Sequence, residues 1–173
     1  PDRIAVVVAP GADFSAARLL TDRRGDQLVN PDPSRGMFSS IHAGLAVAEG
    51  DPILVLPGDM PFVSAATVAG VLAACARDRC IAVPTHNGKR GHPVAFPGSI
   101  VPAILRAPPQ STLKEALAAA GVASLELAVD DPGVVRLRQR AQDLLADLRD
   151  ALLRERPRLA EHGAEILPVH VLP

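Results

Sequence analysis

Three segments of this chain carry residue types whose chemistry and spacing stand out. In Asp51-Pro-Ile-Leu-Val-Leu-Pro-Gly-Asp-Met-Pro-Phe62, an apolar run over residues 53–56 stops at Pro57-Gly58, and Asp59 follows at once. The run reads as a buried strand that the Pro and Gly terminate. A carboxylate just past the carboxyl end of such a strand sits where open α/β sheets bind ligands. Carboxylate oxygen suits a hard cation such as Mg²⁺ held against phosphate oxygens, which makes Asp59 a candidate metal ligand and catalytic residue. Asp59 equally suits a turn that leads into the helix starting near Ser64.

The second segment is Arg35-Gly-Met-Phe-Ser-Ser-Ile-His42. Gly36 permits close backbone approach, and Ser39 and Ser40 are expected at a helix N-terminus, where free N–H groups receive an anion or the polar edge of a base. An ordinary turn at Gly36 and an ordinary N-cap at Ser39 fit the same residues. The third is Lys89-Arg-Gly-His-Pro-Val94, with His92 fixed between Gly91 and Pro93 beside two cations. Those residues suit a phosphorylated acceptor, which Lys89 or Arg90 would neutralise. A solvated turn with a structural histidine fits them too. His42, His86 and His92 do not fall at a metal-ligand spacing within one element, so a histidine metal site is not expected.

The elements that must position these residues alternate. Strands are expected over residues 4–9, 27–29, 53–56, 80–84, 93–96 and 124–129. Helices are expected over 13–20, 39–48, 64–77, 100–106, 112–120 and 139–155, and the tail over 166–172 reads as an edge strand or extended segment. Ser64 is a natural N-cap, and Asn87-Gly88 is a strong hairpin signal. Strand–helix alternation with one late hairpin predicts a three-layer α/β fold: a mostly parallel sheet with an antiparallel hairpin addition.

Composition narrows the function classes. The chain has 173 residues, 48% of them apolar, a net charge of −1 and 2% aromatics. That length fits a single domain over 1–173, with 138–173 forming a C-terminal helix and extended tail. No basic face or set of stacking aromatics marks a nucleic-acid binder. No apolar run is long enough to span a bilayer, so no membrane partner is expected. Cys75 and Cys80 match no zinc pattern and read as two partly buried thiols of a cytoplasmic protein.

The ordered segments resemble the MobA-like nucleotidyltransferases. The similarity rests on Asn30-Pro followed by Arg35-Gly-Met-Phe-Ser-Ser-Ile-His-Ala-Gly-Leu45, then Leu54-Val-Leu-Pro-Gly-Asp-Met-Pro61, Gly88-Lys-Arg-Gly-His-Pro-Val-Ala-Phe96 and Asp130-Asp-Pro-Gly133. It covers roughly residues 3 to 135, and within the family it is nearest the molybdenum cofactor cytidylyltransferases. The resemblance implies a Rossmann-like nucleotidyltransferase domain that binds a nucleoside triphosphate, CTP or GTP, with Mg²⁺. A phosphorylated pterin-type acceptor attacks the α-phosphorus and pyrophosphate leaves. It further implies Asp59 as metal ligand, Gly36, Met37, Ser39, Ser40 and Gly58 at the nucleotide, and Lys89, Arg90, Gly91, His92 and Pro93 at the acceptor. Such transfer rests on positioning and charge neutralisation, and it needs no nucleophilic Ser or Cys.

Two departures bear on activity. The family's opening Gly-rich loop has no counterpart here, so the chain, which begins at Pro1, is expected to be N-terminally incomplete. The family's Asp-x-Asp-Thr after the Pro-Gly turn corresponds to Leu137, Arg138, Gln139 and Arg140, which offer no second carboxylate. The alternative expectation is therefore a degenerate, non-catalytic member that binds nucleotide or a partner.

Overall fold

The computed structural model describes residues 4–11 and 25–135, all within the compact unit Pro1–Arg136. The helices expected over 13–20 and 139–155, and the tail over 166–172, lie outside the described residues. Two parallel strands, β1 (Ile4–Val8) and β2 (Gly25–Val29), form one small sheet. The five-stranded sheet contains β3 (Ile53–Val55), β4 (Ile81–His86), β5 (Lys89–Arg90), β6 (Val94–Phe96) and β7 (Ser124–Ala128). The helices are α1 (Met37–Leu45), α2 (Ala65–Asp78), α3 (Val101–Leu105) and α4 (Leu113–Ala119).

Within the larger sheet β4 and β7 pair in parallel, whereas β6 lies antiparallel between β3 and β4. Hence β3, β4 and β7 run the same way, and the hairpin's return strand is inserted inside the sheet rather than added at its rim. Asn87 (φ 50°) and Gly88 (φ 74°) make the expected turn. The return strand then pairs twice with β4. Arg90 lies opposite Thr85 in β5, and Ala95 lies opposite Ala82 in β6. Between these pairings Gly91 keeps one bond to the Pro84 carbonyl of β4, whereas the His92 N–H turns away from β4 to the Val134 carbonyl.

Alternation along β4 and β6 builds the layers. Ile81, Val83, Val94 and Phe96 share one face, buried against Phe38 and Leu45 of α1, Ile104 of α3 and Leu117 of α4. Ala82 and Ala95 face the other way against Val71, Ala74 and Cys75, a helical stripe on α2. Small residues on that face let α2 approach closely, and large ones opposite fill the wider gap. This is a mixed α/β sheet covered on both sides. Among the described residues no helix is long and apolar enough to cross a membrane.

Several boundaries differ from the sequence expectation. Helix α1 begins at Met37 with Gly36 as its N-cap (φ 84°), two residues before the Ser39-Ser40 pair, and it ends at Leu45 rather than at residue 48. Lys89 and Arg90 form a strand, not a turn. The run over 4–9 reads as a buried strand, yet Ile4 keeps 38% of its surface, since β2 is its one strand partner among the described residues. Cys75 and Cys80 are fully rather than partly buried, and both are free.

Candidate active site

Asp59 is held by the turn that ends β3. The Met60 N–H donates to the Pro57 carbonyl at 3.2 Å, and the Met60 side chain is buried as an anchor. Asp59 itself is exposed. Among the described residues, no side chain hydrogen-bonds or ion-pairs with its carboxylate. Just past the turn, Ser64 caps α2, accepting from the Thr67 N–H at 3.2 Å.

The His92 segment lies at the same end of the sheet, because Val94 of β6 pairs with Val55 of β3. The Gly91 N–H donates to the Pro84 carbonyl at 2.9 Å and the His92 N–H to the Val134 carbonyl at 2.8 Å. Gly91 is required by space: a Cβ there would lie 2.0 Å from the Val134 oxygen. Gly133 is required likewise, because its Cβ would lie 2.2 Å from the Phe62 oxygen. Three stretches distant in sequence thus converge, residues 57–64, 91–93 and 131–135.

The convergence brings Asp59 within electrostatic reach of His92. Burial pushes the His92 imidazole below its ordinary range, and the Asp59 charge offsets part of that shift. The net shift favours the neutral imidazole. Its Nδ1 is buried with no hydrogen-bond partner among the described residues.

Asp131, which the residue pattern alone did not single out, lies at the centre of this junction. It is 6% exposed. One carboxylate oxygen accepts from the Ser64 N–H at 2.9 Å and the Thr67 hydroxyl at 2.6 Å, and the other accepts from the Gly133 N–H at 2.9 Å. Burial alone pushes the Asp131 carboxyl up, but the hydrogen bonds from Thr67, Ser64 and Gly133 outweigh it and hold the group below its ordinary value. The local signal was available: an Asp two residues before a Gly in Asp-Pro-Gly commonly bonds that N–H. The partners 67 and 64 positions away were not.

The remaining candidates divide. Gly36 and Met37 are exposed at the start of α1, and Gly58 is exposed beside Asp59. Ser39 and Ser40 are already engaged, since both hydroxyls accept from the Asn30 amide, at 2.8 and 2.9 Å. The Ser39 N–H is bonded to the Gly36 carbonyl at 3.2 Å, a consequence of the earlier helix start. Asn30, 3% exposed, also accepts from the Asp32 N–H at 3.1 Å, so it organises the whole loop before α1. No hydrogen bond among the described residues joins residues 36–40 to Asp59 or His92. Arg90 reaches across β4 to Glu126 (3.4 Å) and Ser124 (3.2 Å) on β7. Lys89 is exposed, and Pro93 is buried beside His92.

No group of three or more His, Cys, Asp or Glu side chains among the described residues is placed to hold a metal ion. The donor set is a lone exposed carboxylate. That fits Mg²⁺, which keeps several waters and takes one or two carboxylates together with substrate phosphates. It does not fit a closed structural site.

A family model described as the MobA-like NTP transferase domain matches residues 1–131. The chain belongs to the MobA-like NTP transferase family. It is 33% identical over 122 residues to the molybdenum cofactor guanylyltransferase of Pseudomonas fluorescens (strain SBW25). That match covers 65% of this chain and 59% of the relative's length. Two solved structures share the MobA-like fold. The 2-C-methyl-D-erythritol 4-phosphate cytidylyltransferase of Thermus thermophilus superposes with a TM-score of 0.62 at 21% identity, covering 88% of this chain and 82% of that one. Rv0371c of Mycobacterium tuberculosis H37Rv, in complex with manganese, gives 0.58 at 21% identity over 74% of this chain and 68% of that one.

Proposed function

We propose that this chain is a cytoplasmic Mg²⁺-dependent nucleotidyltransferase. It moves a nucleoside monophosphate from CTP or GTP to a phosphorylated pterin-type acceptor. An acceptor phosphate oxygen bonds to the α-phosphorus, the bond to the leaving phosphate breaks, and pyrophosphate departs. The observation that carries the reading is the exposed carboxylate of Asp59 at the carboxyl end of β3, unpaired among the described residues and within electrostatic reach of His92 on a converging loop.

Each residue has a role that its surroundings permit. Asp59, with no cation among the described residues to neutralise it, is free to hold the ion that screens phosphate charge. His92 can donate a hydrogen bond to an acceptor phosphate, and its attachment to Val134 fixes where that bond points. Residues 36–40 border the nucleotide through backbone and the exposed Met37, because their hydroxyls are held by Asn30. Lys89 supplies a mobile positive charge near the acceptor, and Arg90 shares its own with Glu126. The free thiols of Cys75 and Cys80 suit a reducing compartment. A guanylyltransferase relative supports the pterin-type acceptor, and the manganese complex of Rv0371c supports a divalent ion.

The test is pyrophosphate release from CTP or GTP with Mg²⁺ and acceptor, comparing the wild type with Asp59→Ala. Turnover is expected to fall at least about a hundredfold, as loss of metal-derived charge stabilisation implies. Equal turnover in the two proteins refutes the role of Asp59. Nucleotide binding without turnover in the wild type favours the non-catalytic alternative.

A further inference from the structure

The groups assigned to the metal and to the acceptor come from distant parts of the chain, and among the described residues no hydrogen bond joins Asp59 to His92. Main chain organised around one buried carboxylate connects them. Asp131 takes the Ser64 N–H and the Thr67 hydroxyl on one oxygen and the Gly133 N–H on the other. Ser64 closes the loop that carries Asp59. Gly133 abuts the Phe62 carbonyl of that same loop, and the next residue, Val134, receives the His92 N–H.

We infer that Asp131 is a positioning residue, whose carboxylate braces the Asp59 loop against the His92 segment and so sets the spacing of metal ligand and acceptor site. Its catalytic meaning rests on the function proposed above; the brace itself does not.

A simple helix-capping role does not account for this arrangement. The N-cap of α2 is already provided by the Ser64 hydroxyl, which accepts from the Thr67 N–H. A carboxylate withdrawn from water is costly unless its lone pairs are occupied. Here three donors occupy them, one from the Asp59 loop, one from α2 and one from the loop after β7. Asparagine in its place would keep the Gly133 bond but turn an amide N–H₂ toward the Ser64 N–H, donor against donor. The Thr67 hydroxyl can rotate to accept, whereas the Ser64 N–H cannot.

Amide hydrogen exchange, read by NMR on the full chain, compares the wild type with Asp131→Asn. Exchange at His92 is expected to rise about tenfold or more, as at Ser64 and Gly133, because a hydrogen bond to a charged group holds the junction. Core amides such as Ala82 and Ala95 are expected to keep wild-type rates. Faster exchange at Ser64 and Gly133 with His92 unchanged overturns the inference, and so does a uniform rise that includes Ala82. Should Asp131→Asn fail to fold, Thr67→Val removes one donor and the same comparison decides. In the activity assay kcat is expected to fall about tenfold or more, with KM for CTP or GTP within about twofold, the signature of lost orientation rather than lost binding. If the wild type shows no turnover, the functional reading fails, while the exchange result still decides the brace.

Discussion

Replacing Gly91 by alanine tests the junction at its tightest point. The added Cβ would lie 2.0 Å from the Val134 oxygen and 2.5 Å from its carbonyl carbon, where contacts under 3.0 Å are essentially never seen. The neighbours are backbone, so they cannot rotate aside, and the two segments must part by about 1 Å. The adjacent His92 N–H to Val134 bond, 2.8 Å long, would then open to about 3.8 Å, outside hydrogen-bonding range. Loss of that bond, with its buried groups left unsatisfied, costs about 2 kcal/mol. For a chain of this size that lowers Tm by about 4–8 °C. The functional loss is expected to be larger, about a hundredfold in turnover, since His92 moves by about 1 Å. Thermal unfolding and pyrophosphate release, measured on the same preparation, check both. A Gly91→Ala protein with unchanged Tm and wild-type turnover refutes the reasoning.

Acid stability should show two steps. His92, held below its ordinary 6.5, contributes stability that is complete above that value and fades as pH falls through its folded value. Asp131, held below its ordinary 3.8, contributes stability above 3.8 that is lost at lower pH; urea titrations in which His92→Gln removes the upper step and Asp131→Asn the lower check the assignment. Burial, reinforced by Cys80, pushes the Cys75 thiol up to about 11, so alkylation at pH 8 is expected to be slow in the folded protein and fast in urea. Rapid labelling of native Cys75 contradicts that. Thr112→Ala removes one side of the capping box with Glu115 at the start of α4 and is expected to cost about 1 kcal/mol in denaturant unfolding, with turnover unchanged.

Much of the architecture was legible because it is written locally. Asn87-Gly88 specifies its own turn, Ser64 its own cap, and the apolar runs of β4 and β6 their own burial. The position of Asp59 just past β3 was legible for the same reason, since Pro57-Gly58 makes the turn immediately before it. The start of α1 was misplaced because Ser39 and Ser40 look like caps, whereas their hydroxyls are taken by Asn30 and Gly36 caps the helix. Insertion of β6 within the sheet follows from a long-range competition of pairings that periodicity does not encode. Asp131 does not stand out in the sequence, because its partners Ser64 and Thr67 are brought to it by the fold. Where a residue stands in its own turn or cap was readable; which distant loops meet around it was not.

The claim on which the rest depends is that Asp59 holds a divalent ion jointly with nucleotide phosphates. Mn²⁺ binding followed by electron paramagnetic resonance, with and without CTP or GTP, tests it on the wild type and on Asp59→Asn. The expected result is weak Mn²⁺ binding that nucleotide strengthens in the wild type, with that gain abolished in Asp59→Asn while its Tm is unchanged. Identical Mn²⁺ affinity in the two proteins, with nucleotide present, contradicts the account.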